Sequence, residues 1–459
     1  MSEASAFPRA VRIVEVTPFF SIERPSGVFA FGAATTGDLT LAHVRVRVAD
    51  RAGREADGWG AIFLSHPWAF PGTDLSGDAK DRIMRAIIGM AGDRLVRDEM
   101  YGHPLDHFLA IEPELGEIRI GQRDGDPIVV PTLAALVAYS PIDAAIHDAY
   151  GKLHGVSSYE ALGAEYVGWD LGHVLGPRFV GKFLPDYLRA EPVATVPIAH
   201  TVGAADPLEP IEQQDQYLPL TDWIAIDGVH AFKVKLKGRD VDDDAARLVR
   251  VHEVASGSVG LAGDVQLFAD LNEQGSSAAY VTSLLDRVAA TSPATLAALT
   301  AIEQPVSRDL VAEAIDLTAA SRRVPIVLDE GLTSLAALDR AIELGWTGVA
   351  LKTCKTMSLM LLALAKATDA GLQISVQDLT NPGIALLQSV GLAARLPVTR
   401  PLESNQRQYF PLTSRPEALV FRKIFAVHDG VVPADLLGGP GLGYGDLARI
   451  DRAIFHEYV

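Results

Sequence analysis

The run HAFKVKLKG, residues 230–238, sets Lys233, Lys235 and Lys237 on one face of a strand and Phe232, Val234 and Leu236 on the other, because successive side chains alternate. Three ammonium groups on one face repel each other unless that face is wet or lined with carboxylates. A solvated edge strand is the ordinary explanation of such a pattern. The next apolar runs argue otherwise. Three end on acids, Asp270 in LFADLNE, Glu303 in AIEQP and Asp329 in IVLDEG, and a fourth ends on Lys352 in GVALK. One such acid alone reads as a helix cap or loop carboxylate. Three at like positions require a cation, since closely spaced anions cannot all stay ionised without one. Hard oxygen ligands with room for substrate and water suit Mg2+, with Mn2+ as a substitute. Asn272 and Glu330, just beyond two of the acids, are candidates to support or replace a ligand.

The lysines then acquire a role. A free lysine has a pKa of about 10.4 and is no base near neutrality. Burial beside Lys233 and a divalent cation is expected to bring Lys235 toward the working range. A carboxylate substrate on the metal would gain acidity at its α-carbon, since the cation stabilises the developing enediolate. Lys235 could take a proton from one face, and Lys352 could return one on the other or stabilise the intermediate.

Positioning these groups demands a repeated scaffold. From Val193 onward, short apolar runs end at His200, Lys235, Asp270, Glu303, Asp329, Lys352, about Val376 and Glu403, between 23 and 35 residues apart. Each interval holds one strand and one crossover helix. The helical stretches expected between them are 242–255, 278–290, 310–320, 334–344, 358–370 and 382–396. Eight such units predict an α/β fold of the (β/α)8-barrel type, whose active site lies at the C-terminal strand ends where these polar residues fall. Lys235 and Lys352, on strands two and six, would face each other across the mouth. His200 is read as a pocket wall. Glu403 could hydrogen-bond substrate or donate a proton, with a salt bridge to Arg400 or Arg407 as the competing assignment. Cys354 reads as a buried structural thiol.

Residues 1–155 predict an α+β unit with strands over 10–17, 39–49 and 58–64 and helices over 79–96 and 131–154. Two segments are candidate lids: PFFSIERPSGVFAFG, whose aromatics could equally be tucked beneath the domain, and SHPWAFPG, where the prolines favour an ordered turn. No role is assigned to residues 156–192. Among 459 residues, 48% are hydrophobic, enough for a large core and two domains. A formal charge of −18 argues against nucleic acid and anionic membranes as partners. The single cysteine excludes an intrachain disulfide. The first residues lack a basic segment followed by a long apolar core, and no apolar run spans a bilayer, so a cytoplasmic location is expected.

With these residues in view, the chain resembles the enolase superfamily, specifically the mandelate racemase/muconate lactonizing enzyme family. FKVKL, FADLNE, IEQP, LDEG and VALKTCKT carry the resemblance. SPIDAAIHDAYGKLHGVSSYEALG and DGVVPADLLGGPGLGYGDL extend it over nearly the whole chain. It implies a capping domain formed by residues 1–155 and the returning tail 425–459 around a barrel over 156–424. By the same resemblance Lys233 and Lys235 match the Lys-x-Lys pair, Asp270, Glu303 and Asp329 the metal ligands, and Lys352 the sixth-strand lysine of the muconate lactonizing branch. A homo-oligomer acting on a small carboxylate is also implied. Lys237 and Lys355 are extra lysines, and Met357 and Ser358 stand where the family has paired glycines.

With a lysine on each face, 1,1-proton transfer, racemisation or epimerisation, is the expected reaction. Dehydration of a hydroxy or sugar acid and cycloisomerisation share the first half of the chemistry. A barrel that binds an anion without catalysis is the reading from a different class.

Overall fold

The computed structural model describes residues 7–26, 29–31, 34–121, 127–210, 218–258 and 265–445. Val11–Glu23 (β1), Leu39–Asp50 (β2) and Glu55–Phe63 (β3) form an antiparallel sheet in the order β1-β2-β3. In β2, Val44, Val46 and Val48 are buried while His43, Arg45 and Arg47 alternate toward the half-exposed side, the period-2 pattern of a strand with one covered face. The helices Gly77–Asp98 (α1) and Thr132–His154 (α3) pack on the sheet, and Pro104–Leu115 (α2) packs on α3. Gly58 and Gly60 allow β3 to lie directly on α3. A methyl group at either position would sit 2.1 Å from the backbone oxygen of Ala145 or Pro141.

Two expectations change here. The α2 helix carries two prolines and gave no sequence signal. Pro104 occupies the first turn, where its missing N–H costs nothing, and Pro113 lies in the last turn. PFFSIERPSGVFAFG is strand as far as Glu23, while residues 27–28 and 32 of that lid lie outside the described residues. The other lid, SHPWAFPG, is tucked in: it forms a short helix, His66–Ala69, with Trp68 and Phe70 buried.

The larger unit is a curled, parallel-rich sheet. Its parallel strands are Thr195–Val202 (β4), Ala231–Lys235 (β5), Gln266–Asp270 (β6), Leu299–Glu303 (β7), Ile326–Leu328 (β8), Gly348–Lys352 (β9), Gln373–Gln377 (β10) and Leu402–Glu403 (β11). Each pairs with its neighbour in sequence from β4 to β10, and β11 pairs with β4. Between β10 and β11 the Thr399 N–H donates to the Ile374 carbonyl, 2.8 Å. A ninth strand, Val431–Pro433 (β12), joins β4 antiparallel. The curl shows in the packing: Ala199, Ala231, Phe268, Ala301, Val327 and Ala350, from six consecutive strands, form one buried cluster of their own. Five small or β-branched side chains and one phenylalanine fill the interior.

Observed strand ends match the expected ones within two residues. One expected helix is missing, over residues 310–320. There the Asp309 carboxylate accepts from the N–H groups of Val311 and Ala312, and Asp316 accepts from Thr318, local bonds that hold turns in competition with a helix. Only Thr318–Ser321 is helical. A helix not foreseen, Leu220–Asp227, lies between β4 and β5. Residues 156–192 fold as short helical turns that bury Tyr159, Leu162, Leu171, Phe179 and Leu184. No helix among the described residues is long and apolar enough to cross a membrane.

Buried carboxylates of α3 tie these parts together. Asp143 accepts from the backbone N–H and hydroxyl of Ser358, at the start of the helix Met357–Asp369 (α4). Asp148 accepts from the N–H groups of Trp59 in β3 and Leu442 in the tail, 3.0 and 2.9 Å, and from Lys152, 2.6 Å. Asp148→Ala leaves these donors without their acceptor. It is expected to destabilise the fold by roughly 2–4 kcal/mol, read as a lower denaturation midpoint.

Candidate active site

Two residues beyond each member of the small interior cluster, strand alternation returns to the inner face. Ala199, Ala231, Phe268, Ala301, Val327 and Ala350 are thus followed inward by Thr201, Lys233, Asp270, Glu303, Asp329 and Lys352. The polar layer rests on the apolar one, toward the C-terminal ends of the strands.

Lys233, with 0% of its surface exposed, is the hub. Its Nζ lies 3.0 Å from Asp270 Oδ2, 2.7 Å from Glu303 Oε1 and 2.9 Å from Glu403 Oε2, and donates to Gln377 Oε1 at 2.9 Å. Lys235 reaches Asp270 Oδ2 at 2.6 Å and Asn272 Oδ1 at 3.1 Å. At the other end of the row Lys352 is 2.7 Å from Asp329 Oδ2, and Lys355 is 2.9 Å from Asp329 Oδ1. Every predicted catalytic lysine and acid is therefore in one buried cluster. Lys235 and Lys352 sit at its two ends.

Burial alone would raise all the acids, and their partners decide which stay low. The Lys233 and Lys235 charges outweigh burial at Asp270 and hold it at about 2. Lys352, Lys355 and Lys233 pull Asp329 far below the usual range. Glu303 goes the other way, to about 8, because burial and the Asp270 and Asp329 charges exceed the pull of Lys233. For the lysines, burial pushes down, yet the facing carboxylates hold Lys233 and Lys352 well above the ordinary value. At Lys352 the carboxylate charges, Asp329 first among them, together outweigh burial.

Asp270, Glu303 and Asp329 stand at the ends of three adjacent strands, with oxygen donors only, and Asp270 pairs in register with Glu303. Their chemistry and placement fit a hard divalent ion. As the side chains stand, ammonium groups supply the charge, and no group of three or more acids, histidines or cysteines among the described residues is placed to hold a metal. Asp270 and Glu303 already converge on one cation, Lys233, while Asp329 is turned to Lys352 and Lys355.

The remaining predicted residues divide. Asn272 donates to Asp270 at 3.3 Å and to Glu330 at 3.0 Å, supporting both. Glu330 is buried, and burial with the Asp329 charge raises it to about 7. Glu403 pairs with neither arginine. It takes Lys233 and the Thr201 hydroxyl, whereas Arg407 pairs with Asp227 and Arg400 binds Thr300 and Gln373. His200 is no wall of this cluster, since Thr201 occupies the inward position. Its ring packs instead near Trp223, 5.5 Å, and Phe232, 6.5 Å. Lys237 lies beyond β5 and is exposed. Cys354 is buried.

Sequence reasoning passed over Lys355, noted only as an extra lysine, and Gln377, one residue past the expected strand end. It also passed over Trp68. The Trp68 Nε1–H donates to Glu330 Oε1 at 2.9 Å, and the Lys352 Nζ lies 5.0 Å from its ring centroid. The tryptophan within a proline-flanked apolar segment was the available signal. Trp68→Phe keeps the ring and removes the donor. Loss of about 1–2 kcal/mol of stability is expected because buried Glu330 then keeps only the Asn272 donor, measurable by denaturant titration.

A curled parallel α/β sheet with an acid–lysine cluster at its C-terminal edge defines the class. Residues 220–445 match the family model described as enolase C-terminal domain-like, and this part of the chain belongs to that family. The match places it in the enolase superfamily, among the relatives of mandelate racemase and muconate lactonizing enzyme, as the sequence motifs implied. Solved structures share the fold over nearly the full length. An enolase from Bradyrhizobium complexed with magnesium and mandelic acid is 20% identical, covering 95% of each chain at a TM-score of 0.59. Muconate cycloisomerase from Pseudomonas fluorescens is 17% identical, covering 97% of this chain and 99% of its own at 0.62. Muconate lactonizing enzyme from Pseudomonas putida is 17% identical with the same coverage, at 0.58. No curated protein sequence matches the chain.

Proposed function

We propose that the protein is a Mg2+-dependent enzyme that removes a proton α to a carboxylate and returns one, as a racemase or epimerase of a small carboxylic acid. In this reading residues 156–424 close as a (β/α)8-type barrel, capped by residues 1–155 and the tail 425–459. Asp270, Glu303 and Asp329 would hold the ion, which supplies Lewis-acid stabilisation of charge developing on the substrate carboxylate. Magnesium in the Bradyrhizobium structure supports that choice.

The observation that carries the proposal is the position of Lys235 and Lys352 at opposite ends of one acid row, contacting Asp270 and Asp329 respectively. Two amines so placed address two faces of one α-carbon. Lys233 holds Asp270 and Glu303 in place and keeps Asp270 charged, and Asn272 orients Lys235 and Asp270 together. Trp68 covers the Lys352 end and excludes water. Of the groups dehydration would draw on, Glu403 or either lysine, Glu403 is taken up by Lys233 and Thr201, which is one reason to favour 1,1-proton transfer over elimination.

Incubation of amino-acid derivatives and sugar acids in deuterated water tests this. α-Deuteration that needs Mg2+ and inverts the centre is the expected result. Tight binding of acids with no exchange across the library would replace the enzyme with a barrel that only binds anions.

A further inference from the structure

At the opposite, N-terminal end of the curled sheet lies a cavity of about 440 Å3, whose lining includes Arg189, Thr195, His230, Arg400 and Asp429. Arg400 is only 5% exposed. It precedes β11 and reaches across the sheet interior, where its Nη2 donates to the Thr300 carbonyl at 2.8 Å and to the Gln373 side-chain oxygen. Both acceptors are neutral. Arg400 forms no ion pair with a described carboxylate, and its Nε and Nη1 have no acceptor among the described residues.

A guanidinium cannot shed its proton to escape burial, so a buried one demands acceptors and a counter-charge. Burial indeed pulls Arg400 down to about 10, with only the distant Glu303 charge opposing. The cavity rim adds a second cation, Arg189, and an exposed imidazole, His230, against a single acid, Asp429. In a chain of charge −18, this is a locally cationic hollow with an incomplete hydrogen-bond inventory. We propose that the cavity is a binding site for a small oxyanion, a carboxylate or phosphate, whose oxygens accept from Arg400 and whose charge is shared with Arg189. Oxyanions are the partners guanidinium groups bind best. The site lies across the apolar layer of Ala231 and Ala301 from the acid–lysine cluster, so it is separate from the proposed chemistry.

Titration of the full-length protein with inorganic phosphate and, separately, acetate at constant ionic strength tests the site by calorimetry. Saturable binding of at least one probe is expected, weakened at least tenfold by Arg400→Met and at least threefold by Arg189→Glu. A response to phosphate alone or to acetate alone assigns the source. Lys352→Ala, which alters the other end of the sheet, is expected to leave binding unchanged. Saturation by neither probe, or undiminished binding in folded Arg400→Met, would overturn the proposal. So would binding lost in Lys352→Ala, which would place the anion at the active site. Should Arg400→Met fail to fold, judged by circular dichroism, the exposed Arg189→Glu decides: unchanged affinity there overturns the site.

Discussion

Lys352→Ala is expected to abolish stereochemical inversion of a substrate acid, by on the order of 10²–10⁴-fold, while α-deuterium still enters from the Lys235 side. Lys235→Ala should do the converse with the opposite enantiomer. The asymmetry follows from geometry: each amine contacts a different end of the acid row, so losing one leaves the other face served. Exchange lost for both enantiomers in both variants would remove the two-base assignment. The rate should also carry a signed pH dependence. The carboxylates hold Lys352 above its ordinary pKa, and only the free amine accepts a proton. Exchange should therefore rise with pH, and its onset should move to lower pH as Mg2+ is raised, because an ion on the acids takes over the charge that stabilises the ammonium. Deuterium exchange followed by NMR across a pH series at two Mg2+ concentrations checks both signs.

Lys233→Met should be the most damaging substitution for folding. Lys233 is wholly buried and contacts Asp270, Glu303 and Glu403. Its loss strands acids that were compensated, an effect of about 3–5 kcal/mol. In the native protein Lys233 helps depress Asp270 and Glu403. Depressed acids contribute stability that is present above their unfolded values near 4 and is lost as pH falls through the folded ones. Without Lys233, burial prevails and the folded values rise, so the acids must be protonated on folding. The deficit of the variant should therefore be largest at pH 8 and shrink toward pH 5. Mg2+ should recover more stability in the variant than in the native protein, by binding the folded state. Denaturation midpoints at both pH values, with and without Mg2+, decide it. A deficit independent of pH would mean that Lys233 fills space and does not balance charge.

Much of the architecture was legible because the chain repeats one unit. Strands ending on Lys235, Asp270, Glu303 and Lys352 were bounded correctly, since apolar runs there stop at a charged residue. The helix expected over 310–320 failed where Asp309 and Asp316 bonded to nearby N–H groups, and α2 was hidden by its two prolines, Pro104 in the first turn and Pro113 in the last. His200 was misassigned by one residue of register. Strand alternation hands the interior to Thr201, and period 2 makes a one-residue slip a change of face.

Residue order alone was enough for the inventory: three acids, two spaced lysines and a sixth-strand lysine at strand ends, on a scaffold whose periodicity admits few folds. Which partner each of them takes is settled in three dimensions. Lys233 as hub, Lys355 on Asp329, Trp68 over Lys352 and Glu403 on Lys233 join residues from strands and domains far apart in the chain. Such pairings depend on how the sheet curls, and the alternation of each strand carries no record of what the opposite wall presents.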